Sequence, residues 1–118
     1  MLREVDGIPV VEIHGELDLF SVQSLDAELQ SAAAKDVGAV IVSLANTVYF
    51  DSAVIHKLLT FRRQMSVIRQ TFYLVQPRLE AAQRLLLITG LTGKNDRCAS
   101  LEEALALAAQ VRHDQQRT

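Results

Sequence analysis

A nearly continuous apolar run with a β-branched centre, Ala39–Leu44 (AVIVSL), stands between two stretches whose apolar residues recur at helical spacing. A run with so little polar side to give to water reads as a strand covered on at least one face. Before it, from Ser21 onward, Val22, Leu25, Leu29 and Ala32 fall on one side of a helix, with Asp26, Glu28 and Lys35 off that line and Gly38 as a stop. After it come a short connector, Ala45–Phe50, and the pair Asp51-Ser52. Val54, Leu58, Phe61, Met65 and Ile68 then recur at spacings of 4, 3, 4 and 3, a stripe widened by Ile55 and Leu59. That predicts about four to five turns of helix starting at or near Ser52.

The flanks extend the same grammar. Asp6-Gly7 between apolar neighbours is a hairpin signal, because both positions tolerate positive φ. The segment after it alternates, with Pro9, Val11, Ile13, Gly15 and Leu17 on one side and Glu12, His14 and Glu16 on the other, as in a half-buried strand. Thr71–Val75 (TFYLV) is a further strand. Pro77 suits the first turn of a helix carrying Leu79, Ala82, Leu86 and Thr89, with Gly90 closing it. Asp96–Ala99 reads as a short edge strand. Ser100-Leu101-Glu102-Glu103 is an S-x-x-E capping box for a last helix with Leu101, Leu105, Ala108 and Val111 inward. The order β-β-α-β-α-β-α-(β)-α predicts an α/β domain: a mixed, mostly parallel sheet of four to five strands with about four helices packed on it. We place this single domain at residues 1–112, with 113–118 as a polar C-terminal tail.

Composition narrows the function. With 118 residues the chain is one domain by size, and it has 49% apolar and 22% charged residues. A net charge of -2 gives no basic stripe for nucleic acid. No apolar run approaches the ~20 residues of a membrane span, and the first residues lack the layout of a signal peptide. Cys98 is the only cysteine, so it can form no intrachain disulfide and cannot make a zinc site. The expectation is a cytoplasmic protein without metal or cofactor.

Catalytic patterns are scarce. His14, His56 and His113 lie in different elements and form no H-x-x-x-H or H-E-x-x-H pattern, and no Walker A, G-x-S-x-G or G-x-G-x-x-G occurs. Gly90-Leu91-Thr92-Gly93 follows a helix and reads as a cap and turn. Glu16 and Asp18 read first as solvated loop carboxylates, and Cys98 as a small buried hydrophobe. A hydrolase built on Ser52 would need a base; His56, at i+4, is near in sequence, but no third group orients it. Asp51-Ser52 stands where a loop meets the clearest helix. Its local reading is an N-cap that stabilises the helix by ~1 kcal/mol. Its functional reading is a phosphate acceptor, since a helix N-terminus offers free N–H groups and partial positive charge to an anion.

Several segments, in order, resemble one family. Gly15-Glu16-Leu17-Asp18 is similar to the G-E-L-D stretch before the first helix of STAS-type anti-sigma factor antagonists. Val40–Leu44 followed by Tyr49-Phe50-Asp51-Ser52 resembles the family's apolar strand, "hydrophobic-D-S/T" and helix. Ile88-Thr89-Gly90-Leu91 resembles its small-Gly-Leu stretch, and Ser100–Ala108 falls where it has its C-terminal helix. The sequence departs from the family's D-S-S-G or D-S/T-x-G at two places, with Ala53 for the second hydroxyl and Val54 for the glycine.

The resemblance implies a STAS fold and a binding module, not an enzyme. An unphosphorylated antagonist binds an anti-sigma factor, often a serine kinase, and frees a sigma factor for transcription; phosphorylation releases it and a phosphatase resets it. Carried over, Ser52 is the acceptor, and Glu16, Asp18, Asp51, Ser52, Ala53 and His56 lie at or near the partner surface, with no direct nucleic-acid contact and no membrane. The oligomeric state stays open. The alternative is a STAS accessory subunit of another assembly, a lipid-transport ATPase complex or a stress-signalling assembly, using the same surface.

Overall fold

The structure, a computed structural model, describes residues 2–17, 22–50, 52–90 and 97–116; the side chains of 15–17, 22, 48–50, 115 and 116 lie outside that description. Strands β1 (Leu2–Val5) and β2 (Ile8–Leu17) form a hairpin, followed by α1 (Val22–Ala34), β3 (Ala39–Phe50), α2 (Ser52–Val67), β4 (Thr71–Val75), α3 (Glu80–Thr89), β5 (Arg97–Cys98) and α4 (Leu101–Gln116). The five strands lie in the order of the chain, β1-β2-β3-β4-β5. Only β1 with β2 is antiparallel. The sequence-based expectation for the architecture is met.

Strand order explains the layers. Right-handed crossovers that always step the same way across a sheet put their helices on one face. Leu25, Leu29 and Ala32 of α1, Val54, Ile55, Leu58, Phe61 and Met65 of α2 and Leu86 of α3 accordingly share one core with Val11, Ile13, Val40, Val42, Leu44, Phe72 and Leu74. α4 follows the last strand and has no strand to return to. It folds over the other face, where Ala104 and Ala108 pack on Ile8, Val10, Ala39, Ile41, Tyr73, Val75 and Cys98. Burial pushes the Tyr73 phenol above its usual pKa, and the neighbouring Cys98 thiol adds to the shift.

Several local expectations are corrected. β2 is not half-buried along its length: Val10 is as fully buried as Val11, because α4 covers its first half on the second face. Ala45–Phe50 is strand, not connector. It pairs with the end of β2 through two irregularities, between Glu12 and His14 and between Gly15 and Glu16, each adding a residue to β3. Those bulges break the alternation that a sequence reader relies on. Pro77 precedes α3, whose N-cap is Leu79; Leu79 is exposed and Leu86 is the fully buried residue of that helix. Ile68 falls in a turn after α2, where Arg69 takes a positive φ, and it too is exposed. Asp36 (φ 53) turns the chain after α1, ahead of Gly38. α4 runs on to Gln116, into the stretch read as a tail, with Gln110 donating to Asp114 one turn on.

Other devices follow the sequence. Ser100 Oγ accepts the Glu103 N–H (3.2 Å), one half of the expected capping box of α4, while the Glu103 carboxylate reaches one residue past the cap to accept the Ala99 N–H (3.0 Å). Gly90 ends α3 in the left-handed region (φ 76). The β1–β2 turn has Asp6 at φ 53 and Gly7 at φ 80. The Arg112 guanidinium of α4 lies over it and donates to the Asp6 carbonyl (2.9 Å). A Cβ at Gly7 would run into that guanidinium. Gly7→Ala is therefore expected to combine left-handed strain of about 1–2 kcal/mol with displacement of Arg112. Urea unfolding should show a midpoint lowered accordingly, and an unchanged midpoint would refute this account of the turn.

Candidate functional site

The carboxyl ends of β2 and β3 finish side by side. Register pairs Glu16 with Tyr49 and Leu17 with Phe50, immediately before α2 begins at Ser52. The two stretches singled out in the sequence, Gly15–Leu17 and Tyr49–Ser52, are thus brought together by the parallel pairing. The bulges help to aim this end of β3, and the Thr47 hydroxyl pins it by donating to the Ile13 carbonyl (3.2 Å). Asp18 and Asp51 lie outside the described residues, as does the side chain of Glu16.

Ser52 is the first residue of α2. Its side chain is exposed. His56, one turn on, is also exposed and shares the outward stripe of the helix with Ser52. Ala53 is half-buried between them and the core. Val54 and Ile55 face the sheet, and Val54 is fully buried. The valine that replaces a glycine therefore fills core space and adds no bulk to the outer surface.

The rest of α2 holds this end in place. Its inward face carries Leu58, Phe61 and Met65 into the core. Against α1, Lys57 pairs with Asp26 (3.3 Å), and the amides of Gln30 and Gln64 exchange bonds of 2.8 and 2.7 Å. At its far end Arg62 donates to the Gly90 carbonyl of α3 (2.9 Å). Ser52 thus sits on a helix fixed at three places, with its hydroxyl outside.

The remaining candidates do not converge on it. His14 is an exposed strand residue 3.5 Å from Glu12, and His113 is exposed on α4. Cys98 is buried beneath α4. Among the described residues no group of three or more His, Cys, Asp or Glu side chains is placed to hold a metal ion, and no helix is long and apolar enough to cross a membrane. One feature escaped the sequence reading: α3 exposes Leu85, Leu87 and Ile88. The signal was present, since four consecutive apolar residues, Leu85–Ile88, cannot all face one side of a helix.

Comparison with known proteins agrees with the architecture. The STAS domain family model matches residues 1–104. An anti-sigma factor antagonist from Mycobacterium paratuberculosis superposes with a TM-score of 0.81 at 22% identity, covering 92% of each chain. The Bacillus cell fate determinant SpoIIAA, an anti-sigma factor antagonist, superposes in its phosphorylated form with a TM-score of 0.72 at 22% identity, over 90% of this chain and 96% of its own. A sulfate transporter family protein from Wolinella succinogenes gives 0.73 at 18% identity, over 88% and 86%. At such identities the likeness is one of fold. No curated protein matches the chain by sequence.

Proposed function

The chain belongs to the STAS domain family, and from that premise we propose that it is an anti-sigma factor antagonist of the cytoplasm, a binding module switched by phosphorylation of Ser52. The observation that carries this reading is the exposed Ser52 hydroxyl at the first residue of α2, beside the joined ends of β2 and β3. Unphosphorylated, the domain docks an anti-sigma factor that is also a serine kinase, through Glu16, Asp18, Asp51, Ser52, Ala53 and His56, and so releases a sigma factor. The kinase transfers the γ-phosphoryl of ATP to Ser52 Oγ; the hydroxyl proton is lost and ADP leaves. The phosphoserine, with about -1.5 to -2 charge, opposes the docked state, and a phosphatase restores the hydroxyl.

The domain itself supplies no catalytic group in this scheme. What α2 supplies is presentation: a hydroxyl outside the core on a helix that does not have to move. Incubation with its partner kinase and ATP should add one phosphate, about 80 Da by intact mass, and Ser52→Ala should abolish the gain. A mass that stays constant, or a phosphate that persists in Ser52→Ala, overturns the assignment.

A second reading has the sulfate transporter family relative in its favour. In it the same surface makes the domain an accessory subunit of another assembly, such as a lipid-transport ATPase or a stress-signalling complex. Affinity capture separates the two: an ATP-binding kinase retained by wild type and lost after phosphorylation supports the first, a transport ATPase the second.

A further inference from the structure

The second face of the sheet is only partly covered. α4 crosses it from β5 towards the β1–β2 turn, where Arg112 meets the Asp6 carbonyl. One helix, about 10–12 Å across, cannot roof five strands spaced about 4.8 Å apart. The sheet is left open over the middle of β2 and β3 and the end of β4, beside the start of α4. A cavity of about 520 Å³ lies there, within the size range of small-molecule sites. It lies beyond the carboxyl end of β4, between the start of α4 on one face and Gln83 of α3 on the other.

Register sets Glu12, Ser43, Val75 and Cys98 in one row across the sheet on this face. Ser43 is the exception in the β3 part of it, a hydroxyl following Ala39 and Ile41. It is 94% buried, being 6% exposed, and it lines the cavity. Its oxygen accepts one long bond from the Ala45 N–H (3.5 Å), and among the described residues its proton has no acceptor. A buried hydroxyl left with an unused donor has a cost unless something in the cavity accepts from it. Around it stand the amides of Asn46 and Gln76 and the Ser100 hydroxyl, over an apolar floor of Val75, Pro77 and Leu101.

Charge selects the class of occupant. Two carboxylates, Glu12 and Glu102, face one guanidinium, Arg78, so an anion is disfavoured. Glu12 already pairs with Arg3, so a cation gains little. What remains is a neutral molecule whose groups both donate and accept. We infer that this cavity is a binding site for a small neutral polyol, of the hexose or cyclitol kind, with Ser43 donating to one ligand hydroxyl and the amides and Glu12 holding others. The site is separate from Ser52 and does not depend on its phosphorylation.

The test is an amide ¹⁵N–¹H titration of the whole chain with glucose and with myo-inositol, each against sodium phosphate and glycine. Saturable shifts with one polyol at a dissociation constant of about 1 mM or below are expected, at the amides of Ser43–Asn46, Gln76 and Ala99–Glu102. Ser43→Val, which keeps the shape and removes the hydroxyl, should weaken them at least about tenfold, while Ser52→Ala leaves them unchanged. Should Ser43→Val not fold, Asn46→Ala, at an exposed position, is expected to weaken binding in the same way. Absence of saturable shifts with both polyols, shifts confined to other surfaces, or a stronger response to phosphate or glycine overturns the proposal; the cavity is then a hydrated notch or takes a charged ligand.

Discussion

Ser52→Glu is expected to weaken binding of the partner kinase by about 10²-fold, and full phosphorylation by more, while leaving the free domain as stable as wild type or slightly more so. The two halves of this expectation have one cause. In the free domain the new charge sits on the first residue of α2, where unpaired N–H groups and the helix dipole favour an anion by about 0.3–1 kcal/mol. In the complex the same charge must be stripped of water against whatever faces Ser52, and truncated or mismatched buried charges at interfaces cost about 2–5 kcal/mol. A factor of 10² corresponds to about 2.8 kcal/mol, inside that range. Moving an equilibrium from about 99:1 to 1:99 takes about 5.5 kcal/mol, which the second phosphate charge helps to supply. Titration calorimetry of Ser52→Glu and of the phosphorylated protein, beside urea unfolding of both, checks the pair of outcomes. Unchanged affinity would remove the switch. Lost affinity together with lost stability would mean that the substitution damages α2, and the regulated reading would then lack support from this variant.

Most of the architecture was legible because two periods, 2 and 3.6, alternate cleanly along the chain. The AVIVSL run, the Val54–Met65 stripe and the Asp6-Gly7 turn each admit one local structure, and the order of elements then leaves few topologies. The failures share a cause: they lie where tertiary contacts override the local pattern. Val10 reads as the polar-side residue of a half-covered strand until α4 is known to lie over it. Asn46 and Thr47 look like a connector because bulges shift the pairing that makes them strand. The candidate site divides in the same way. Ser52 stands out as a candidate because a helix start has a sequence signature, and Gly15–Leu17 because of a family resemblance; the adjacency of Gly15–Leu17 to the end of β3 needed the β2–β3 register. The polar corner around Ser43 had no signature, since its residues come from five separate elements and the turns between them, and one serine in an apolar strand does not by itself mark a site.

The largest effect on the fold is expected from Phe61→Ala, about 3–5 kcal/mol of destabilisation. Phe61 is 1% exposed and stands at the centre of the inward face of α2. Its ring meets that of Phe72 on β4 edge to face, with centroids 5.8 Å apart and planes at 82°. Such pairs add about 0.5–1.5 kcal/mol beyond the area they bury. Truncation removes both the transferred surface and this contact, and leaves a cavity that Leu58 and Met65, themselves fully buried, have little freedom to fill. Domains have only about 5–15 kcal/mol of stability, so the variant should be folded at low temperature and lose much of its urea midpoint. Val67→Ala, at a residue 82% exposed on the same helix, should stay within about 0.5 kcal/mol of wild type. The contrast bears on function because the layer that Phe61 completes is what holds α2, and with it Ser52, against the sheet. If Phe61→Ala cost about 1 kcal/mol or less, the core would be able to close around the gap. The fixed presentation of Ser52 would then have to rest on the polar ties to α1 and α3 instead.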